Sequence, residues 1–584
     1  MDIFAILGLI GGLVLFLYGM DMMGDSLKKL AGGKLESILA KLTSTRWKGF
    51  LLGLIVTSII QSSSATTVML VGFVNSGIMK LAQTISIIMG ANVGTTVTAW
   101  LLSTAEIGGT ATILKLLKPD SFTPILAAIG FIMITTAKSD KKRNTGSILV
   151  GFAILMFGMD AMSGAVEGLR DNATFTSMLT MFSNPIMGII VGTLFTAIIQ
   201  SSSASVGVLQ ALALTCVIPY STAIPVILGQ NIGTTITPII SSISGNTESK
   251  RVAIACLYIK MIGVAVVCSI FYILHSIFGF AFMETRISAF NIAVVHTAFN
   301  IISTVILIPF CNSIEKLVIK SIKPNKQERE VDVFDTLDDR FLAIPSFAVE
   351  KCKDLVCDMA NLSRECFVKA SKLLDDYNSE EFEVIKELEG KIDVYEDKTS
   401  SYLVKIAGHQ MSEKDSKVVT ELLHCIGDLE RISDHALNVA EAAKEVYDKD
   451  IQFSAKAKED LAIITNAVSE ILELTVNTLL NDDIDLAKSV EPLEQVIDRL
   501  KRKIKNGHIS RLRQGDCTME LGFILSDLLT NYERVSDHCS NIAVCVIEIA
   551  TGTFEAHEYL NQVKSGEEEF NTMYQSYKQK YYIQ

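Results

Sequence analysis

Long apolar stretches with few charges dominate the first 320 residues of this 584-residue chain. A helix that crosses the hydrocarbon core of a bilayer needs about 20 consecutive, mostly apolar residues. The stretches that reach or approach this length are residues 3–20, 49–79, 81–102, 123–137, 146–163, 187–219, 222–243, 252–280 and 288–311. The first lacks a basic flank and a cleavage site, so we expect a retained span and not a signal peptide. The pattern predicts an all-α, polytopic membrane domain over residues 1–320.

The charge balance changes near residue 320. Residues 1–320 hold 20 basic and 13 acidic side chains, which leaves 52 − 20 = 32 basic and 64 − 13 = 51 acidic ones for the rest. That acidic part reads as amphipathic helix interrupted only by Pro345 and Pro492, which is typical of a solvated helical bundle. We predict a linker at 321–340, a helical domain at 341–560 and a polar tail at 561–584.

The apolar part contains two copies of one unit. The sequence QSSS begins at Gln61 and again at Gln200, which is 139 residues later. The related sequences GANVGTT and GQNIGTT follow each QSSS after 29 residues, and GMD also recurs at the 139-residue spacing. We therefore predict repeats at about 1–137 and 140–280, followed by a final span at 288–311.

Basic residues in the loops predict the orientation of the two copies. Loop 24–48 contains six lysine or arginine residues, whereas its counterpart at 163–186 contains one. The stretches 138–144 and 249–251 are also basic. Because such residues concentrate in cytoplasmic loops, the two copies are predicted to be inserted in opposite orientations, as inverted repeats. Residues 49–101 then contain a re-entrant hairpin and one interrupted span.

The hydroxyl and amide groups of the two QSSS motifs lie within apolar sequence, where polar side chains are uncommon unless they have a function. At a broken helix tip they join free backbone N–H groups and a positive dipole end, which suits an oxyanion. Backbone carbonyls and Ser or Thr oxygens suit a hard cation such as Na⁺. The glycines of GANVGTT and GQNIGTT are expected to let the backbone approach a ligand. The alternative is that serine and threonine only join helices, but the exact repetition of both motifs favours a binding site.

The duplicated QSSS resembles the type II sodium/phosphate cotransporter family in its bacterial form. The resemblance covers nearly all of residues 1–310 and implies sodium-driven uptake of inorganic phosphate by alternating access, with the two tips meeting around the anion. The phosphate-binding residues that it implies are Gln61, Ser62, Ser63, Ser64, Gln200, Ser201, Ser202 and Ser203. The sodium-binding residues are expected to be Thr66, Asn92, Thr95, Ser205, Asn231 and Thr234.

Two weaker features lie in the same domain. Asp21 and Asp160 recur at the ends of spans, where a carboxylate serves either ion coupling or an interfacial helix end. His296 and Asn300 lie one helical turn apart in the final span, and hydrogen bonding between helices is the favoured interpretation.

The acidic domain is duplicated as well. LERISDHALNVA and YERVSDHCSNIA are 103 residues apart, and each is preceded by a Glu-x-x-x-Asp pair on one helix face. The motif resembles the PhoU family, two tandem three-helix bundles that regulate phosphate uptake, some binding iron or zinc. The implied metal ligands are Glu389, Asp393, Glu430 and Asp434 in one set, and Glu494, Asp498, Glu533 and Asp537 in the other. A solvated carboxylate face without metal is the alternative.

The combined prediction is a sodium/phosphate symporter of the plasma (inner) membrane with a regulatory PhoU-like domain in the cytoplasm. Inorganic phosphate, sodium and membrane lipid are the expected partners, nucleic acid is not, and a homo-oligomer stays open. One alternative is a sodium-coupled transporter of another small anion. Another is a metal-dependent phosphohydrolase that uses the Asp-His pairs at Asp434 and Asp537, or a membrane-tethered sensor that transports nothing. Adjacent helical residues point about 100° apart and no nucleophile motif is present, so we do not expect an enzyme.

Overall fold

The computed structural model describes residues 3–31, 45–106, 119–167, 183–324, 332–515, 517–551 and 568–583. Regular structure in these residues is entirely helical, and the chain divides into two compact units, Met1–Ile344 and Pro345–Gln584. The predicted all-α fold class is confirmed. Parts of the loops 24–48 and 163–186, of the predicted linker and of the predicted tail lie outside the described residues.

The first unit contains the helices that carry the apolar stretches. In the first copy they are α1 (Ile3–Ala31), α2 (Arg46–Ile60), α3 (Ser63–Asn75), α4 (Leu81–Gly94), α5 (Thr96–Ser103) and α6 (Pro119–Thr136). In the second copy they are α7 (Asp140–Val166), α8 (Pro185–Ile199), α9 (Ser202–Thr215), α10 (Tyr220–Gly233), α11 (Ile236–Ser242) and α12 (Thr247–Phe278). Helices α13 (Ala289–Leu307) and α14 (Cys311–Ser321) complete the unit.

Seven helical segments in the described residues are long and apolar enough to cross a membrane, and six of them lie in this unit. The seventh, Ala455–Asn481, lies in the second unit, where half of the residues in its most apolar stretch are buried. Its hydropathy therefore reflects a buried bundle face.

Both QSSS motifs lie at the tips of helical hairpins. The arms α2, α3, α8 and α9 have 15, 13, 15 and 14 residues. At 1.5 Å per residue each arm is about 20–23 Å long, which is shorter than the ~30 Å hydrocarbon core. Two residues join the arms in each copy. This matches the predicted re-entrant hairpins.

The equivalent helices α1 and α7 pack together with their backbones in close contact. Gly12 of α1 lies against Gly158 of α7, and Gly19 lies against Gly151, so the helices run antiparallel. Since Gly158 is the repeat counterpart of Gly19 and Gly151 that of Gly12, exchanging the copies leaves this contact unchanged. A local two-fold relation of this kind is what an inverted repeat requires.

The glycines that begin GANVGTT and GQNIGTT serve helix packing, not the close approach of a ligand that the sequence suggested. A Cβ atom on Gly90 would lie 1.9 Å from the carbonyl oxygen of Phe50. A Cβ atom on Gly229 would lie 2.1 Å from the carbonyl oxygen of Ile189. These glycines therefore allow α4 to pack directly on the backbone of α2, and α10 on that of α8.

The second unit contains two three-helix bundles. The first is formed by α15 (Pro345–Leu373), α16 (Ser379–Ala407) and α17 (Glu413–Asp448). The second is formed by α18 (Ala455–Asn481), α19 (Ile484–Gln514) and α20 (Met519–Thr551). Contacts of α17 with α20 and of α15 with α18 join the bundles. Pro492 lies inside α19, so it does not interrupt that helix.

The segments predicted as linker and tail are packed where the structure describes them. Residues 332–344 belong to the first unit, in which Asn75 donates a hydrogen bond to Asp338 at 3.0 Å and Phe341 is buried. Helix α21 (Glu568–Lys580) packs on α19, and Lys580 forms an ion pair with Glu470 at 2.7 Å. The boundary between the units lies at Ile344, four residues beyond the predicted end of the linker.

Candidate functional site

The two QSSS tips meet at one cavity in the first unit. This cavity has a volume of about 380 Å³. Its lining contains every residue predicted to bind phosphate: Gln61, Ser62, Ser63, Ser64, Gln200, Ser201, Ser202 and Ser203. Residues 139 positions apart in the sequence thus form one site, as the repeat predicts.

The two tips share an unusual backbone conformation. Gln61 ends α2 with φ 60°, and Gln200 ends α8 with φ 59°, which is the left-handed region that glutamine rarely adopts. The next residue is the N-cap of the following helix: Ser62 Oγ accepts from the Ala65 N–H at 3.1 Å, and Ser201 Oγ accepts from the Ala204 N–H at 3.2 Å. The same uncommon turn thus occurs at both tips, among the residues predicted to bind phosphate.

A buried hydroxyl pair ties the two arms of each hairpin. Thr57 Oγ1 donates to Thr66 Oγ1 at 3.0 Å in the first copy. Thr196 Oγ1 donates to Ser205 Oγ at 2.8 Å in the second. All four side chains are completely buried. The hydroxyl pairs hold the arms together directly behind the tips.

The cavity offers donors to an anion from both sides. The N-terminal ends of α3 and α9 lie at it and carry partial positive charge and unsatisfied N–H groups. Ser62 and Ser201 use their oxygens as acceptors in the caps, so their O–H groups stay available as donors. Lys28 also lines the cavity and pairs with Asp25 at 2.9 Å. This donor set suits a small oxyanion.

The two glutamines differ in their surroundings. Gln61 is buried, accepts a hydrogen bond from Thr98 Oγ1 at 2.7 Å and donates through Nε2 to the Ser58 carbonyl. Gln200 is exposed to the cavity. Thr237, the repeat counterpart of Thr98, has a buried hydroxyl with no partner in the described part of the chain. The repeat is therefore asymmetric at the site itself.

The sodium candidates of the first copy lie beside the hairpin and along the broken helix α4–α5. Thr66 accepts from Thr57, as described above, and donates to the Ser62 carbonyl at 3.0 Å. Thr95 caps the C-terminal end of α4 and donates to the Ala91 carbonyl at 2.9 Å. Asn92 is partly buried one turn before it. Their oxygens keep free lone pairs, as a sodium ion requires.

The second copy has equivalent groups with different partners. Thr234 caps the C-terminal end of α10 and donates to the Asn231 carbonyl at 2.8 Å, while Asn231 Nδ2 donates to Ile227. Gln230 donates to the Ser205 carbonyl at 3.0 Å, and its buried Oε1 has no partner in the described residues. Sequence reasoning did not select Gln230, although it stands where the first copy has alanine.

Charged residues near the site were mostly missed by the sequence reasoning. Asp21, considered there only as a weak candidate, lines the cavity together with Asp25 and Lys28. Asp160, its repeat counterpart, is absent from the lining. Asp25 and Lys28, near the C-terminal end of α1, follow GMD by only a few residues. The repeated GMD motif was therefore the signal in the sequence that pointed to this charged group.

The first acidic set forms a compact group in the second unit. One ligand atom each of Glu389, Asp393 and Asp434 lie within 4.8 Å of one another. Burial and the Asp434 and Asp393 carboxylates raise the pKa of Glu430 to about 7. Burial and neighbouring carboxylates also raise the pKa of Glu389 and of Asp434. Mutual repulsion of this kind is what a divalent cation would relieve, so these residues fit a metal.

The second acidic set is partly neutralised by basic side chains. Lys501 forms an ion pair with Glu533, and Arg534 pairs with Asp537 at 3.3 Å. Burial and the Glu533 carboxylate raise the pKa of Asp537, although Arg534 acts in the opposite direction. Glu494 and Asp498 do not join them in a metal-sized group within the described residues. The two sets, equivalent by sequence, are thus unequal.

The histidines of the duplicated motif join the two bundles. His435 Nδ1 lies 2.8 Å from Asn531 Oδ1, and His538 Nδ1 lies 2.7 Å from Asp428 Oδ1. The contacts are reciprocal, because Asn531 is the repeat counterpart of Asp428. These histidines are therefore occupied in bonds between helices α17 and α20, which argues against a hydrolytic role for the Asp-His pairs.

Comparisons with known families divide the chain in the same way as its two compact units. Residues 15–164 and 154–292 match the Na⁺/Pi-cotransporter family, and residues 356–443 and 461–546 match the PhoU domain. YjbB of Escherichia coli (strain K12), named as an inorganic phosphate export protein, is 21% identical over 550 residues, 93% of this chain and 97% of that protein.

Two further similarities are partial. The sodium-dependent phosphate transport protein 2A of Rattus norvegicus is 35% identical over 103 residues, which are 17% of this chain and 16% of that protein. The crystal structure of PhoU from Pseudomonas aeruginosa covers 35% of this chain and 97% of that one, with 22% identity and a TM-score of 0.34.

Proposed function

We propose that this chain, which belongs to the Na⁺/Pi-cotransporter family and also contains two PhoU domains, moves inorganic phosphate across the plasma membrane together with sodium ions. The single observation that carries the proposal is the cavity at which both QSSS tips meet. A site built from both copies of an inverted repeat is the arrangement in which rocking of one copy against the other exposes the ligand to each side in turn.

Phosphate is bound by the tips in this proposal. The serine O–H groups and the N-terminal ends of α3 and α9 donate to its oxygens, and Lys28 adds positive charge at the cavity. Most of these donors are neutral and Lys28 is paired with Asp25, so the anion is held without a strong net charge and can be released on the other side. The carboxylates of Asp21 and Asp25 at the same cavity attract sodium.

In a symporter, the sodium and phosphate gradients determine the direction of transport. Sodium and phosphate bound to the same state cross together, so an inward sodium gradient drives import. We propose import under that gradient, whereas the relative YjbB is named for export. We propose that the PhoU-like unit lies in the cytoplasm and adjusts the rate of transport. It contains a cluster of three carboxylates, Glu389, Asp393 and Asp434, that a bound metal ion would draw together.

Radiolabelled phosphate uptake by the purified full chain in proteoliposomes tests this function. We expect phosphate transport to require sodium and to follow the direction of the imposed sodium gradient. Sulfate should compete poorly with phosphate. Ser63→Ala and Ser202→Ala should lower the apparent affinity, with exposed Ser321→Ala as a control. Uptake of sulfate at the same rate as phosphate would show that the site does not select phosphate and would favour a transporter of another small anion. Absence of sodium dependence would reject symport, and release of phosphate from phosphoesters would favour the phosphohydrolase alternative.

A further inference from the structure

Lys260 lies in the interior of the membrane unit on α12. It is only 7% exposed, and within the described residues it has no carboxylate partner. A basic side chain at membrane depth is costly and normally marks a functional position. The charge of Lys260 therefore needs a compensating environment.

The Lys260 ammonium is directed at the break between α10 and α11. Its Nζ donates to Thr234 Oγ1, the hydroxyl at the C-terminal cap of α10. The C-terminal end of a helix carries partial negative charge, so a cation is stabilised there. The hydroxyl and the helix end are the features that made Thr234 a sodium candidate.

In the described residues of the first copy, no ammonium bonds to the corresponding helix break. Thr95 occupies the corresponding C-terminal cap of α4, and no hydrogen bond in the described part of the chain joins it to a basic side chain. The residue 139 positions before Lys260 is Ser121. The two helix breaks are thus alike in backbone and hydroxyl, but among the residues that the structure describes a basic side chain bonds only to the second.

We propose that the Lys260 ammonium replaces a sodium ion at the second helix break, so that Thr95 is a sodium ligand and Thr234 is not. The inference rests on the proposed function, since it assumes that sodium is the coupling ion. An ammonium and Na⁺ compete for the same hydroxyl oxygen, because both are small monovalent cations that need oxygen partners. The coupling ions would then bind to one copy, and the fixed charge would serve the other.

A matched pair of substitutions at the repeat positions tests the assignment. Thr95→Val and Thr234→Val remove the same hydroxyl from the two breaks with little change in volume. Sodium bound to the purified full chain is counted with radioactive sodium in the absence of phosphate. We expect Thr95→Val to lose bound sodium and Thr234→Val to keep the wild-type amount. Equal losses in both variants would overturn the proposal.

Removing the charge provides the second arm. Lys260→Met should bind one more sodium ion per chain than wild type, and the sodium dependence of phosphate uptake should become steeper. Lys260→Arg keeps the charge, and Lys80→Met removes an exposed lysine; both should match wild type. Unchanged sodium binding in folded Lys260→Met would contradict the proposal. If the wild type binds sodium but transports no phosphate, the proposed function fails while the sodium counts still decide this inference.

Discussion

Thr98 Oγ1 donates a 2.7 Å hydrogen bond to Oε1 of Gln61, the residue that forms the tip of the first hairpin. The bond connects the hairpin to the broken helix α4–α5 and fixes the amide of a glutamine in a left-handed backbone conformation. In the second copy Gln200 faces the cavity, and the buried hydroxyl of Thr237 has no partner in the described residues.

The first prediction concerns this asymmetry. Thr98→Val should destabilise the protein and weaken phosphate binding, since it leaves a buried amide oxygen unsatisfied at a cost of about 1–3 kcal/mol. Thr237→Val replaces a hydroxyl that makes no bond, so thermal stability should change little. Melting temperature and apparent phosphate affinity are the measurements. A matching loss of stability in both variants would show that the two threonines have equal roles.

Serine hydroxyls at both tips should contribute to phosphate affinity. A hydrogen bond to a charged ligand is worth about 1.5–3 kcal/mol, so Ser64→Ala and Ser203→Ala should each weaken affinity roughly 10- to 150-fold. Phosphate-dependent thermal stabilisation and uptake kinetics measure the change. Wild-type affinity in both variants would mean that the serines only join helices.

Membrane topology can be measured without transport. The inverted repeat predicts that Ser139→Cys and Ser321→Cys react with a membrane-impermeant maleimide from the cytoplasmic side and Glu284→Cys from the opposite side. All three positions are exposed in the structure. The unsubstituted chain is the control for its own cysteines. Labelling of Ser139→Cys and Glu284→Cys from one side would exclude the inverted arrangement.

A metal, if bound by the second unit, should depend on the first acidic set. Asp434→Asn removes a member of the compact group, whereas Asp537→Asn alters a set in which Lys501 already neutralises Glu533. We expect iron, zinc or another divalent ion in the purified full chain, lost in Asp434→Asn and retained in Asp537→Asn. Elemental analysis measures it. Equal metal loss in both variants would mean that both sets bind metal, as the sequence predicted.

Stability of the metal-free protein should fall as the pH rises toward neutrality. The pKa of Glu430 is raised to about 7 from a usual value of 4.5. Between these values the folded protein keeps a proton that the unfolded chain releases, so unfolding becomes easier as the pH increases. Glu430→Gln should flatten the pH dependence of the melting temperature over this range, and the exposed Glu441→Gln should not. A wild-type profile in Glu430→Gln would contradict the raised pKa.

The architecture of the chain could be predicted from its amino-acid pattern alone. Apolar length identified the membrane unit, the 139-residue spacing identified its two copies, and QSSS identified the tips that meet at the cavity. These features are local or periodic, and the physics of the bilayer and of helix ends translates them directly into structure. The duplicated PhoU-like motif determined the two bundles in the same way.

Which residues at equivalent repeat positions have the same surroundings depends on how the helices pack. Gly90 and Gly229 turned out to serve helix packing, because their Cβ positions are occupied by the backbone of a neighbouring helix. The hydroxyl of Thr98 at Gln61, and the ammonium of Lys260 at Thr234, come from other helices. A repeat motif specifies the same local backbone twice, but each copy packs against different neighbours, and those neighbours set the charge and hydrogen bonding of the site.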